Sequence, residues 1–254
     1  MRLHVESLGS GPALVMLHGW GMHGGIWGKA VIQLAQHFRV HSVDLPGHGK
    51  SSGLMPYNLD SIVQHLQEHF TEPVALCGWS LGGQVALHWA HLAPQQISKM
   101  VLVATTPSFV QRPDWPCAMA AVTLQEFSAA LLAHPERTLL RFIALQVRGS
   151  EYERQLLQDL RSGLYSRGIP DKAALQSGLE ILRDTDLRAQ LPHITPATLL
   201  IAGEHDLLTP PDAASYLVQA IPQAQLLKIK GAAHVPFLSH SDIFVQEIVK
   251  FLEE

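Results

Sequence analysis

The chain has 254 residues, 47% of them hydrophobic and only 16% charged, and a formal net charge of -4 with the histidines neutral. That length supports one large α/β domain with its own core, and the mildly acidic balance gives no case for nucleic-acid binding. No apolar run approaches the roughly 20 residues of a membrane span, so neither nucleic acid nor a membrane is an expected partner.

The N-terminal stretch Met1-Arg2-Leu3-His4-Val5-Glu6 carries charge where a signal peptide has its apolar centre. Cys77 and Cys117 are too few for a disulfide framework, and Cys77 reads as a buried apolar filler. The expectation is a cytoplasmic monomer. From there, apolar runs of strand length recur at 13–17, 38–43, 74–77, 100–104, 197–202 and 225–229, with helical segments between most of them. Nearly continuous apolar strands alternating with helices predict a mostly parallel central sheet covered on both faces. In such sheets ligands sit at the carboxyl ends of the strands.

The third run ends in Gly78-Trp79-Ser80-Leu81-Gly82-Gly83, and 81–92 then reads as a helix. Strand, G-x-S-x-G and helix in that order form the nucleophile elbow of an α/β-hydrolase. The glycines, lacking a Cβ, leave room for the chain crossing at a sharp turn. Ser80 then lies at a helix N-terminus, where free N–H groups favour developing negative charge.

The alternation breaks at 111–184, which holds no strand pattern and reads as four helices at 123–134, 135–148, 151–166 and 171–183. Pro135 suits a first helical turn, and Gly149 and Gly168 suit stops. This stretch is predicted to be a helical cap inserted into a core made of 1–110 and 185–254.

An activated serine needs a base within reach and a carboxylate to orient the base, in the chain order Ser, acid, His for this fold. Asp206 follows the strand at 197–202 and His234 follows the strand at 225–229, so Ser80, Asp206 and His234 are the candidate catalytic set. Glu204 is an alternative acid and His240 an alternative base, although Ser239-His240-Ser241-Asp242 looks like a helix N-cap. Asp44 precedes the serine and is expected to brace the turn it opens. The backbone N–H groups of Trp20 and Leu81 are the candidate oxyanion hole, with His18 bracing the first of these loops. Fifteen histidines fall in no zinc-ligand spacing, so no metal is expected, and the proposed chemistry needs no cofactor.

The whole chain resembles the α/β-hydrolase superfamily. More closely, it resembles the pimeloyl-[acyl-carrier protein] methyl ester carboxylesterases of bacterial biotin synthesis. The matching stretches are Leu17-His18-Gly19-Trp20-Gly21, Val43-Asp44-Leu45-Pro46-Gly47, Gly78-Trp79-Ser80-Leu81-Gly82-Gly83, Arg141-Phe142-Ile143-Ala144-Leu145-Gln146, Gly178-Leu179-Glu180-Ile181-Leu182 and Ala232-Ala233-His234-Val235-Pro236-Phe237-Leu238-Ser239-His240. The resemblance implies cleavage of the methyl ester of a pimeloyl chain on acyl-carrier protein, giving methanol and a free carboxylate. It implies that substrate lies against Trp20, Ser80, Leu81, Phe142, Ile143, Ala144, Leu145, Gln146 and His234, and that basic cap residues meet the acidic carrier. Gln158 departs from the pattern, which leads one to expect an arginine there. Either Arg161 substitutes from the next turn or carrier binding is weaker.

The charge distribution independently suits such a partner. Residues 112–184 hold nine basic and nine acidic side chains, so the rest of the chain carries the whole -4. Arg137, Arg141 and Arg148 are spaced four and seven apart, near one helix face, and Arg154 and Arg161 are seven apart. Arg137, Arg141, Arg154 and Arg161 are the candidate carrier contacts, set against the plainer reading of a solvated face with local ion pairs. The competing functions are a general short-acyl carboxylesterase without a carrier, a carbon–carbon bond hydrolase, a cofactor-free haloperoxidase, and a ligand receptor on a hydrolase scaffold. Serine at the elbow argues against a haloalkane dehalogenase, which would place aspartate there.

Overall fold

The computed structural model describes residues 2–254. In chain order the elements are β1 (His4–Leu8), β2 (Ala13–Leu17), α1 (Lys29–Leu34), β3 (Arg39–Asp44), α2 (Leu59–His69), β4 (Val74–Trp79), α3 (Leu81–Leu92) and β5 (Ile97–Val103). They continue with α4 (Ala121–Ala133), α5 (Pro135–Val147), α6 (Glu153–Gly163), α7 (Lys172–Asp184), β6 (Ala197–Gly203), α8 (Pro211–Ala220), β7 (Ala224–Ile229), α9 (Pro236–Ser239) and α10 (Ser241–Glu253). One seven-stranded sheet runs β1-β3-β2-β4-β5-β6-β7. Every neighbouring pair is parallel except β1 with β3.

The sheet places the site through its strand order. From β2 the chain steps outward to β3, then returns to the other side of β2 to lay down β4. The crevice between β2 and β4 is therefore a topological switch point, open at the carboxyl ends of both strands. Leu14, Val15, Met16 and Leu17 of β2 and Leu76 and Cys77 of β4 are fully buried, as a sheet covered on two sides demands. Burial also pushes the Cys77 thiol well up from its ordinary value.

Local signals start and stop the helices. The Asn58 side chain accepts from Ser61 N at 2.9 Å to open α2, and Asp171 accepts from Ala173 N at 2.8 Å to open α7. Pro135 is the first residue of α5. Helices α4 to α7 leave the sheet between β5 and β6 and pack on one another, α4 against α5 and α7, and α5 against α6.

Several details differ from the sequence pattern. Strand β1 was missed because it is an antiparallel edge strand, half exposed, with no apolar run to mark it. Strand β5 starts at Ile97 rather than Met100: Ser98 is exposed, and the Lys99 ammonium donates to Phe251 O at 2.9 Å. It also ends before Ala104, which turns to φ 43°. Helix α6 is shorter than 151–166 at both ends, and Arg148 lies just beyond α5. Among the described residues, no helix is long and apolar enough to cross a membrane.

Candidate active site

The turn after β4 brings Ser80 to φ 55° and ψ -117°, a region that costs a non-glycine residue about 1–3 kcal/mol. Neighbouring contacts hold it there. Ser80 N donates to Val103 O at 3.0 Å, and Ser80 O accepts from Thr105 Oγ1 at 2.7 Å and Gly83 N at 2.9 Å. The two glycines of the motif are steric requirements. A Cβ on Gly78 would collide with the Gly82 carbonyl, and one on Gly82 would collide with the Leu17 carbonyl.

His234, on the loop after β7, reaches Ser80 Oγ through Nε2 at 3.0 Å and Asp206 Oδ2 through Nδ1 at 2.8 Å. An ionised carboxylate only accepts, so Nδ1 carries the proton and Nε2 is free to accept from the serine hydroxyl. Ser80, Asp206 and His234 are 7%, 3% and 1% exposed. The histidine backbone is held from two sides: Trp79 Nε1 donates to His234 O at 2.8 Å, and His234 N donates to Gln146 O at 3.0 Å. Asp206 Oδ1 accepts from Leu208 N at 2.8 Å and Thr209 N at 3.0 Å, while Oδ2 also accepts from Thr209 Oγ1 at 2.7 Å.

The loop after β2 lies against the serine, since a Cβ on Gly19 would stand 3.2 Å from Ser80 Cβ. The backbone N–H groups of Trp20 and Leu81 donate to no other group among the described residues. His18 is fully buried behind this loop. Its Nδ1 donates to Gly19 O at 2.7 Å and its Nε2 accepts from Leu45 N at 2.9 Å. Burial holds its pKa well below the ordinary histidine value, with the neighbouring His48 adding to the shift.

The alternatives from sequence sit elsewhere. Glu204 is about half exposed and accepts from Gly231 N at 3.2 Å. His240 occupies the N-cap position of α10, gives no side-chain cap, and pairs with Ser239 Oγ at 2.9 Å. Asp44 is fully buried and accepts from Gly24 N at 2.7 Å, Lys50 N at 2.9 Å and Arg167 Nη1 at 2.9 Å. Arg167 also pairs with Glu6, so this cation ties the helical insertion to β1 and β3.

An apolar cavity with an open mouth lies between α4, α5 and α7. Phe109, Phe127, Phe142, Leu145 and Leu179 line it, with Arg141 and Glu126 among its polar walls. Ser80 does not line this cavity; buried Trp20 packs between the serine loop and the cavity's aromatic wall. Its backbone belongs to the loop beside the serine, its indole stands edge-on to Phe127 and Phe142, and its Nε1 donates to Leu175 O at 2.8 Å. Of the stretch singled out in sequence, Phe142 and Leu145 face the cavity, whereas Ile143 and Ala144 do not line it. Gln146 is buried with its Oε1 unpartnered, and its backbone carbonyl touches the histidine loop.

Arg137, Arg141, Arg154 and Arg161 are all exposed, and none forms an ion pair within 4.0 Å among the described residues. Arg112, Arg167 and Arg183 of the same insertion do pair, with Asp186, with Asp44 and Glu6, and with Asp184. Sequence reasoning missed Thr209, Trp79 and Arg167. No spacing rule flags a threonine on the acid's loop or a cation on a distant loop. Among the described residues, no group of three or more His, Cys, Asp or Glu side chains is disposed to hold a metal ion.

Residues 12–241 match the family described as alpha/beta hydrolase fold. The chain belongs to the α/β-hydrolase family. Two relatives of this hydrolase, both named pimeloyl-[acyl-carrier protein] methyl ester esterase, come from Nitrosospira multiformis and Nitrosomonas europaea. The first is 43% identical over 98% of this chain and 97% of its own, and the second is 44% identical over 96% of each. Among solved structures, an esterase from Exiguobacterium antarcticum superposes with a TM-score of 0.92 at 25% identity, covering 99% of this chain and 96% of that one.

Proposed function

We propose that this hydrolase is a serine carboxylesterase that removes the methyl ester from a pimeloyl chain carried on acyl-carrier protein, in biotin biosynthesis. The observation that carries the chemistry is the continuous, buried hydrogen-bond chain Ser80 Oγ, His234, Asp206, at 3.0 and 2.8 Å. Full-length identity of 43% to an esterase named for that substrate supports the choice of ester.

In the proposed cycle His234 Nε2 takes the Ser80 proton as Oγ attacks the ester carbonyl. The Trp20 and Leu81 N–H groups, free of other partners, stabilise the oxyanion. His234 returns the proton to the departing methoxide, releasing methanol and leaving an acyl ester on Ser80. A water molecule then gives a proton to His234 and attacks the acyl carbon, which frees the carboxylate and restores the serine hydroxyl. Asp206 keeps the imidazole in the tautomer each step needs and stabilises the imidazolium.

In this reading residues 111–184 form a cap over the core. The apolar cavity beside Phe142 and Leu145 holds methylene groups of the acyl chain, and Gln146, whose Oε1 lacks a partner, is the candidate polar contact with the substrate. The unpaired Arg137, Arg141, Arg154 and Arg161 meet carrier carboxylates or phosphate. A solvated face with local pairs would have satisfied these cations from the insertion's own acids, as it does for Arg183. The expected working form is a cytoplasmic monomer, checked by sedimentation and cell fractionation.

The test compares hydrolysis of methyl pimeloyl-carrier protein with free dimethyl pimelate, for wild type and Ser80→Ala. Rapid turnover of the carrier-linked ester that vanishes in the variant supports the proposal. Serine-dependent turnover of the free ester with none of the carrier-linked one leaves a general short-acyl esterase.

A further inference from the structure

We propose that Thr209 is a positioning residue for hydrolysis: its hydroxyl locks the Asp206 carboxylate in the plane that holds His234 for proton transfer. This rests on the reading of Ser80, Asp206 and His234 as the reacting set. An ionised carboxylate offers about four acceptor sites, two on each oxygen. At Asp206 all four are used. Oδ1 takes the Leu208 and Thr209 amides, and Oδ2 takes Thr209 Oγ1 and His234 Nδ1.

The two oxygens are held in different ways. The amides grip Oδ1 through a rigid loop, and that grip alone leaves a pivot, because the torsion that swings Oδ2 is soft. Among the described residues, the one contact that stops the swing, other than the histidine itself, is the Thr209 hydroxyl at 2.7 Å. Its single proton goes to Oδ2, and its oxygen keeps both lone pairs for accepting. His234 Nδ1 lies 3.4 Å from the same Oγ1, beside its main 2.8 Å bond to Oδ2. The hydroxyl thus fills the second site on Oδ2 and keeps the histidine on the first. Thr209 is 3% exposed, so no solvent stands in for the hydroxyl once it is removed. Threonine is suited to the task, since branching at Cβ restricts the torsion that aims Oγ1.

Three substitutions separate the hydroxyl from the volume it fills. Thr209→Val keeps the shape and loses the hydroxyl, Thr209→Ser keeps the hydroxyl and loses a methyl group, and Thr209→Ala loses both. Kinetics on dimethyl pimelate, melting curves, and the downfield proton resonance of the imidazole Nδ1–H are measured for each, with Ser80→Ala alongside. The expected result is a fall in kcat of about tenfold or more in the valine and alanine variants with KM unchanged, consistent with a lost bond to a charged group. The Nδ1–H resonance shifts or broadens in the same two, while the serine variant stays close to wild type. If the valine variant does not fold, the serine and alanine pair decides the matter. The proposal is overturned if rates follow volume instead, with valine near wild type and serine as impaired as alanine. Activity that survives in Ser80→Ala would instead overturn the underlying assignment of the reacting set.

Discussion

The tie between the helical insertion and the sheet invites a direct measurement. Arg167 reaches from the loop between α6 and α7 to Asp44 Oδ1 at 2.9 Å and also pairs with Glu6. The Asp44 carboxylate is wholly buried, and the Arg167 side chain is only 12% exposed. Removing one partner of a buried pair costs about 3–5 kcal/mol. In Arg167→Met the Gly24 and Lys50 amides still serve Asp44, which favours the low end, about 3 kcal/mol. The Glu6 contact adds little, because that side chain is about half exposed. For a chain of this size each kcal/mol moves the midpoint by about 2–4 °C, so the expected fall in Tm is about 6–12 °C. Urea unfolding supplies the free energy independently, with the slope unchanged if only the folded state is weakened. A Tm within about 2 °C of wild type would refute the view that this pair anchors the insertion.

Other consequences can be checked with the same material. Gly82→Ala drives a methyl group into the Leu17 carbonyl, so the elbow must shift; kcat on dimethyl pimelate should fall about 100-fold or more, and a loss under threefold would contradict the steric account. Arg137→Ala with Arg154→Ala removes two unpaired exposed cations. It should raise KM for the carrier-linked ester by about 2- to 30-fold, at about 0.2–1 kcal/mol per contact, and leave dimethyl pimelate unaffected. Equal losses on both esters would return these arginines to the solvated surface. Burial depresses the pKa values of His18, His48 and His23 in the folded state, so the unfolded chain binds more protons at mildly acid pH. Stability should be full above the unfolded histidine value near about 6.5 and should fall as pH drops from there toward the lowered folded values. Urea midpoints that stay flat from about pH 7.5 to 5.5 would count against buried neutral imidazoles.

Much of the architecture was readable because its signals are local. A buried parallel strand shows as a short apolar run, and β2, β4 and β6 announced themselves in that way. Pro135 marked the start of α5 through a torsion fixed within its own ring, whereas the side-chain caps of Asn58 on α2 and Asp171 on α7 came to light in the structure. Strand β1 had no such mark, because an edge strand finds its partner across the sheet rather than in its own pattern. The limits of α6 slipped for a different reason: Leu156, Leu160 and Leu164 carry one buried apolar stripe past the helix end at Gly163, so the helical pattern outruns the helix.

At the site, the residue types and their order could be taken from the chain, since Gly78, Ser80 and Gly82 act through one turn, and Asp206 and His234 follow recognisable strands. The distances between them could not, because Ser80 and His234 are 154 positions apart and meet only when β4 and β7 take their places in one sheet. The same holds for Thr209 on Asp206, for Arg167 on Asp44, and for the helix end at Gln146 that holds the His234 amide. Sequence by itself determined which backbone torsions and which side-chain chemistry were available. Tertiary structure decided which donor meets which acceptor, because hydrogen bonds and ion pairs act over a few ångströms of space, whatever the separation along the chain.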